Sequence, residues 1–297
     1  AEESAWSPRL AVSRFFSSFD LLIHASYDRA FQTPAIENLL LASSLQLDSI
    51  SPEVLRLPVK PSLANFYEVG ITKGFAGKFR IDANFFRRDF RDFADDDLLL
   101  NTGVSFPIAF ATAQIEGEEV RLEVPRWGRF SGSVSYANQT GAGEGPITGG
   151  LFLGADAALA LSDTSRFAIS QDQRNTFRGR LRFQAVPKLW FALGAEYGSG
   201  LPVELGSGPI DYNFLLLQYG AAVLDRVDFA RGRVRPSFSL DAGAGVDLYR
   251  HDSRALSLLL QTANLTDRVN VINFASLFSG TAIGPPRSFS GRLQATF

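Results

Sequence analysis

The sequence predicts an all-β chain: an antiparallel meander of about eleven strands, of the transmembrane β-barrel type and open as a partial barrel. Three observations predict it. Apolar and polar residues alternate with a period of two over many segments, and strand side chains alternate between faces in that way. Short and long connections between those segments alternate strictly. No run of about 20 apolar residues exists, which excludes a membrane helix, while strands of about ten alternating residues can still span a bilayer.

The elements follow in order. Residues 8–16 carry Leu10 and Val12 on one face, interrupted by Arg14. Residues 20–28 set Leu21, Ile23, Ala25 and Tyr27 against His24, Ser26 and Asp28. Residues 65–74 set Tyr67, Val69 and Ile71 against Glu68, Gly70 and Thr72, and residues 77–90 set Phe79, Ile81, Ala83 and Phe85 against Arg80, Asp82 and Asn84. Residues 116–125 oppose Val120, Leu122 and Val124 to Glu119, Arg121 and Glu123, and residues 129–138 oppose Phe130, Val134 and Tyr136 to serines. Residues 174–185 oppose Phe177, Leu181 and Phe183 to Arg178, Arg180 and Arg182. Residues 189–198 oppose Leu189, Phe191, Leu193 and Tyr197 to Glu196 and small residues. Residues 237–249 oppose Phe238, Leu240, Val246 and Leu248 to Asp241 and Asp247. Residues 254–264 are less clean, with Leu259 on the polar side, and residues 288–297 end the pattern on Phe297.

The short connections are 17–19, 75–76, 126–128, 186–188 and 250–253; the long ones are 29–64, about 91–115, 139–173, 199–236 and 265–287. In an antiparallel meander this sorts all short turns to one end, as in outer-membrane barrels with short periplasmic turns and long extracellular loops. A soluble sandwich has no reason to sort its loops so.

The two faces differ in chemistry. Three arginines in one row, Arg178, Arg180 and Arg182, do not suit a packed core, because arginine is almost never buried unpaired. They suit a wet lumen shared with Glu196, Asp241 and Asp247, where they pair with carboxylates or contact a plug or ligand. Phe15, Phe16, Trp127, Trp190 and Phe297 lie near the short-turn end and are expected on the apolar face as an interfacial girdle. Phe and Gly occur 26 times each. Cys is absent, which excludes disulfides, a thiol nucleophile and thiolate metal sites. A net charge of −2 gives no electrostatic case for nucleic acid.

Catalytic signatures are missing: there is no GxSxG elbow, P-loop or HExxH, so no catalytic residue, metal site or cofactor is expected. His24 and His251 lack partners at ligand spacing, and Asp95, Asp96 and Asp97 read as a solvated loop before they read as a calcium site. Gly141, Gly143 and Gly145 do not lie between a strand and a helix, and the sequons at Asn138 and Asn264 are taken as accidental. Two loop segments, 33–43 and 211–224, are unusually apolar; Thr33 before Pro34 marks a helix start, and both segments either line a vestibule or pack together.

Several stretches resemble the barrel of TonB-dependent receptors. They are SPRLAVSRFFSSFDLLIHASYDRAFQTP (7–34), NFYEVGITKGFAGKFRIDANFFRRDFRDF (65–93), AQIEGEEVRLEV (113–124), DQRNTFRGRLRFQAVPKLWFALGAEYGSG (172–200), and NLTDR (264–268) followed by PPRSFSGRLQATF. The region from Arg226 onward resembles in particular a subgroup with an N-terminal carboxypeptidase-regulatory-like domain. The resemblance implies a non-enzymatic import receptor in the outer membrane of a Gram-negative bacterium, taking up a siderophore, cobalamin or glycan. It implies a barrel closed by a plug and energised through a TonB box that engages the TonB energy-coupling complex. Phe297 matches the terminal aromatic read by the barrel-assembly machinery.

An odd strand number makes the first and last strands parallel, which single-chain bacterial barrels avoid. Met is absent, including at position 1. The expectation is therefore that residues 1–297 are the C-terminal portion of a larger barrel, with plug, TonB box and first barrel half outside this chain. Its partners would then be outer-membrane lipid and that missing N-terminal part. The alternatives are a passive porin-type barrel and a soluble β-rich adhesion or structural module.

Overall fold

The structure is a computed structural model that describes residues 5–33, 54–57, 59–98, 105–153, 164–203, 210–251, 254–276 and 280–296. Its strands are β1 (Arg9–Phe16), β2 (Leu21–Gln32), β3 (Val54–Leu57), β4 (Ser62–Phe75), β5 (Phe79–Leu98), β6 (Ser105–Trp127), β7 (Phe130–Leu153), β8 (Arg166–Ala168) and β9 (Asn175–Val186). After β10 (Leu189–Gly198) come helices α1 (Tyr212–Tyr219) and α2 (Ala221–Leu224). The remaining strands are β11 (Val227–Asp228), β12 (Arg233–Val234), β13 (Ser237–His251), β14 (Arg254–Ala263), β15 (Val271–Ser276), β16 (Gly280–Ile283) and β17 (Ser288–Thr296).

Eleven of these strands form one antiparallel path, β1-β2-β4-β5-β6-β7-β9-β10-β13-β14-β17, and the short β3 and β8 add to β7. These are the eleven alternating segments of the sequence. β1 and β17 are the two edges of the sheet. Among the described residues no helix is long and apolar enough to cross a membrane.

The pairing registers explain the alternation. Directly opposed residues share a face, so the apolar side forms continuous rows. One row runs Ile23, Ile71, Ala83, Val120, Tyr136, Phe177, Tyr197 and Phe238. Nearer the short turns, Phe130, Phe183, Phe191, Ala244 and Leu260 form another. The six residue steps from Phe130 to Tyr136 cover roughly 20 Å along the strand at ~3.4 Å each. This belt is exposed although it is apolar: Val69 is 55%, Leu181 46% and Leu193 49% accessible. A contiguous bare apolar face of this extent needs a non-aqueous partner.

Aromatics mark both borders of the belt. On the short-turn side Phe79 packs edge-on against Trp127 at 5.6 Å, and Phe130 lies tilted against Phe183 at 4.9 Å. On the far side Tyr27 stacks on Tyr67 at 5.2 Å. There the Tyr27 hydroxyl donates to Asn65 Oδ1 at 2.9 Å, and the Tyr136 hydroxyl to Asn175 Oδ1 at 2.6 Å. A ring in the belt with its hydroxyl on a polar partner is the arrangement of a membrane interface.

Two sequence expectations need correction. Segments 91–115 and 139–173 are largely strand rather than loop: β5, β6 and β7 run well past the belt, and Asp95–Asp97 pair with Phe106–Ile108. Beyond the lipid depth neither face must be oily, so the alternation fades while the hydrogen-bond ladder continues. The loop asymmetry survives as long strand extensions on one side only. The side chains of Asp95, Asp96 and Asp97 lie outside the described residues, as do Phe297 and most of segment 33–43. Second, parity puts Phe15 and Trp190 on the polar face: Phe15 is opposite Leu22 in the row of Thr72 and Asp82, and Trp190 is opposite Gln184 and Gly245. The alternation of residues 189–198 agrees with this, since Trp190 has the parity of Glu196 and not of Phe191; nearness to the short turn alone does not set the face.

The core lies in the long-loop region. Val223, Leu224, Val227, Val234, Val271 and Phe274 are buried together, joined by Leu215, Tyr219 and Phe229. Segment 211–224 thus packs, through α1 and α2, onto the β11–β12 and β15–β16 hairpins. Asp211 caps α1 by accepting from the backbone N–H of Asn213 and Phe214, both at 3.1 Å. A second cluster gathers Phe93, Ala113, Ile115 and Ile169.

Candidate functional site

The polar face of β5–β14 carries the charged residues that the sequence singled out. One row runs Asp82, Arg121, Ser135, Arg178, Glu196 and Ser239. The next runs Arg80, Glu123, Ser133, Arg180, Gly194 and Asp241. A third runs Ser131, Arg182, Ala192, Gly243, Gln261 and Ser290. Arg178, Arg180, Arg182, Glu196 and Asp241 are therefore brought together on three adjacent rows. Asp247 is separate: it lies at the register shift before Tyr249 and pairs with Arg250 at 3.0 Å.

Charge is not balanced evenly across this face. β5 and β6 neutralise themselves within the strand, Arg80 with Asp82 at 3.0 Å and Arg121 with Glu123 at 3.8 Å. The Thr72 hydroxyl also donates to Asp82, at 2.6 Å. β9 has no such carboxylate. Arg178 faces Glu196 in register, yet none of Arg178, Arg180 and Arg182 makes an ion pair among the described residues. Among the described residues the row thus stands as a stripe of positive charge without carboxylate ion pairs. Asp241 is already engaged, since its Oδ1 accepts from the Asn264 backbone N–H at 2.9 Å and the Ser239 hydroxyl at 3.2 Å.

Arg182 lies 4.4 Å above the Trp190 ring and donates to Gln184 Oε1 at 3.3 Å. A cation over an indole face is attracted by the ring quadrupole. The indole in turn lies on Gly245, where an added Cβ would come within 2.4 Å of the ring. Together with the Gly194 and Gly243 floor this leaves a groove of about 570 Å³ edged by Arg180, Arg182, Trp190, Asp241 and Gln261. The arrangement presents fixed guanidinium donors to an acidic or oxygen-rich partner.

His24 Nε2 lies 3.3 Å from Glu68 Oε1 on the same face. His251 belongs to the end of β13 rather than to a turn, paired with Arg254. Gly141 and Gly143 are required by packing, because a Cβ would strike Ile169 at 2.8 Å and Phe167 at 2.6 Å.

Sequence reasoning missed Asp172. It is fully buried, and its Oδ1 accepts from the Gly141 backbone N–H at 2.8 Å. Its Oδ2 accepts from Arg174 Nε at 2.9 Å and from Arg233. The carboxylate ties β7, the approach to β9 and the β11–β12 hairpin into one unit. Nothing in the local sequence signals this, because Arg233 lies 61 residues away.

Asn264 and Asn270 were also missed as structural residues. Asn270 imitates a strand neighbour for Phe238, accepting from its N–H and donating to its carbonyl, both at 2.9 Å. The side-chain amide of Asn264 is spent on the carbonyls of Arg268 and Pro285.

No curated protein matches the sequence. Among solved structures, the ferric-catecholate import receptor Fiu from K12 E. coli superposes with a TM-score of 0.61 at 18% identity, over 97% of this chain and 34% of that one. The ferric enterobactin receptor PfeA from Pseudomonas aeruginosa, as its G324V mutant, gives 0.61 at 17%, over 99% and 40%. The FrpB iron transporter from Neisseria meningitidis gives 0.61 at 14%, over 98% and 39%. This chain therefore spans between a third and two fifths of those receptors, and at such identities the likeness speaks for the fold. The family model described as TonB dependent receptor-like, beta-barrel matches residues 1–273. With its antiparallel meander, apolar belt and charged opposite face, the chain belongs to the TonB-dependent receptor β-barrel family.

Proposed function

We propose that the chain is the C-terminal part of the barrel wall of a TonB-dependent receptor, set in the outer membrane of a Gram-negative bacterium and importing a large scarce solute. The observation that carries this reading is the pairing of an unbroken exposed apolar belt with a charged opposite face across one eleven-strand meander. The belt meets lipid and the charged face meets the barrel interior. The bare edges at β1 and β17 would be sealed by further barrel strands, since open edges of this length invite uncontrolled pairing. The structural neighbours include receptors described for ferric catecholate and pyoverdine and one copper transporter, which favours a metal chelate among the solute classes.

Within this reading the stripe of Arg178, Arg180 and Arg182, with Glu196 and Asp241 beside it, faces the plug or the passing solute. Its open charge would hold acidic or oxygen-rich groups there, and energy transmitted by the TonB complex would displace them. Phe297 would serve as the assembly signal, and Asp247 would act within its own turn.

The test is uptake by cells expressing the complete receptor, supplied with ferric catecholate, cobalamin or an oligosaccharide. Saturable uptake of one of these that stops when a protonophore collapses the proton gradient supports the reading. Uptake that is unsaturable and indifferent to the protonophore would replace it with a passive pore. In the same assay, replacing Arg178, Arg180 and Arg182 with Gln should reduce uptake while leaving barrel assembly intact.

A further inference from the structure

The long-loop region contains six arginines between Arg226 and Arg287 outside the strands of the main sheet: Arg226, Arg231, Arg233, Arg235, Arg268 and Arg287. Three have carboxylate partners: Arg231 with Asp228, Arg233 with Asp172, and Arg287 with Asp267. Arg226, Arg235 and Arg268 make no ion pair among the described residues, and these three are neighbours. Arg226 Nη2 and Arg268 Nη2 both donate to the carbonyl of Pro236, at 2.6 and 2.9 Å. The Arg235 backbone N–H donates to the Arg226 carbonyl at 2.7 Å, extending the β11–β12 ladder by one step.

Like charges set side by side across a ladder repel. The strands cannot splay to relieve this, because Val227 and Val234, the residues next to Arg226 and Arg235, are 3% and 1% exposed in the loop core. Arg226 Nε is closed off from solvent and has no hydrogen-bond partner among the described residues. Burial, and then the charges of Arg268 and Arg235, hold the Arg226 guanidinium below the ordinary arginine range. Asp225 is adjacent in the chain but makes no ion pair with Arg226 among the described residues. Three neighbouring guanidinium groups with no carboxylate ion pair among the described residues present forked donors that suit one shared anion.

We propose that Arg226, Arg235 and Arg268 bind a phosphate-class oxyanion. Such an anion supplies several acceptor oxygens to forked donors, and its charge offsets the mutual repulsion of the three arginines. The site lies just beyond the apolar belt: Pro236 is two residues before Phe238, whose row with Tyr136, Phe177 and Tyr197 forms the belt's edge. That depth suits the phosphate of a lipid headgroup, and the same donors suit free phosphate or a phosphorylated solute.

The test uses the complete receptor, purified in a phosphate-free neutral detergent. Inorganic phosphate is titrated calorimetrically in the presence of excess chloride. In parallel, phosphatidic acid and phosphatidylcholine are offered in mixed micelles, and retained lipid is counted by native mass spectrometry. R235Q is the primary variant, since Arg235 is exposed and its side chain makes no hydrogen bond to the fold among the described residues; R226Q/R268Q is the second, and R231Q is the control.

Loss of one charge-assisted partner should weaken binding roughly tenfold or more, and R231Q should leave it unchanged. Phosphate binding that R235Q weakens assigns a soluble anion. Selective retention of phosphatidic acid, weakened by R235Q and without inorganic phosphate binding, assigns a headgroup. Binding of neither ligand, or binding that R235Q and R226Q/R268Q leave as tight as before, overturns the proposal.

Discussion

Arg233 grips Asp172 twice, through Nη2 on the carboxylate and through Nη1 on its backbone carbonyl at 2.8 Å. Asp172 has no solvent exposure and also receives Arg174 and the Gly141 N–H. Removing one partner of a buried ion pair leaves an uncompensated charge, which costs about 3–5 kcal/mol. Asp172→Ala should therefore loosen the β11–β12 hairpin and the loop core resting on it. Hydrogen exchange of the Val227 and Val234 amides would rise sharply, while exchange in β4 and β5 would stay as it was. Unchanged protection at Val234 would show that the loop core holds without the carboxylate.

Trp190 lies flat on Gly245, so the glycine is there for lack of a side chain. Gly245→Val should push the indole off its seat and away from Arg182, at a cost of roughly 1–3 kcal/mol from overpacking. The emission of Trp190 would shift, read against a Trp190→Phe background that subtracts Trp6 and Trp127. An unaltered Trp190 signal would mean that the ring has another place to lie.

Leu181 and Ser133 sit on adjacent paired strands but on opposite faces. Leu181→Arg should cost about 2–4 kcal/mol in lipid vesicles, because the charge enters the belt near mid-depth. Ser133→Asn changes a residue of the polar face and should stay within about 0.5 kcal/mol. Equilibrium urea unfolding of the complete receptor in vesicles compares the two, and equal effects would refute the assignment of faces.

The contrast between those two residues also marks how much could be read beforehand. Wherever a strand crosses the belt, one face must be oily, and period-two alternation found all eleven strands. Above the belt that constraint ends, so the extensions of β5, β6 and β7 looked like loops. Trp190 was misplaced because its nearness to the short turn was read as membership of the girdle, although the alternation through Leu189, Phe191 and Leu193 sets it on the polar face. The arginine stripe was legible from its spacing. Its charge imbalance was not, since that depends on the internal pairs of β5 and β6 and on Asp241 being engaged by Asn264. Asp172, Asn264 and Asn270 act through partners that only the fold brings close.

Asn264 allows backbone and side chain to be tested apart. Its φ is 47°, in the left-handed region that asparagine tolerates better than most residues. It is 2% exposed, and its side-chain amide donates to the carbonyls of Arg268 and Pro285 at 2.9 and 3.2 Å. Asn264→Gly keeps the backbone conformation and loses the side-chain hydrogen bonds, those two and the ones Oδ1 accepts from the Thr266 hydroxyl and the Arg268 N–H at 3.3 and 3.2 Å, at about 1–3 kcal/mol for the groups left unsatisfied. Asn264→Ala loses the same bonds and adds about 1–2 kcal/mol of left-handed strain. Alanine should therefore be the more damaging of the two by that margin in urea unfolding of the vesicle-embedded receptor. Because the Asn264 N–H also fixes Asp241, the alanine variant should further increase hydrogen exchange at the start of β13. If the two variants prove equally stable, the backbone conformation at Asn264 contributes nothing, and the side-chain bonds alone hold the turn between β14 and β15.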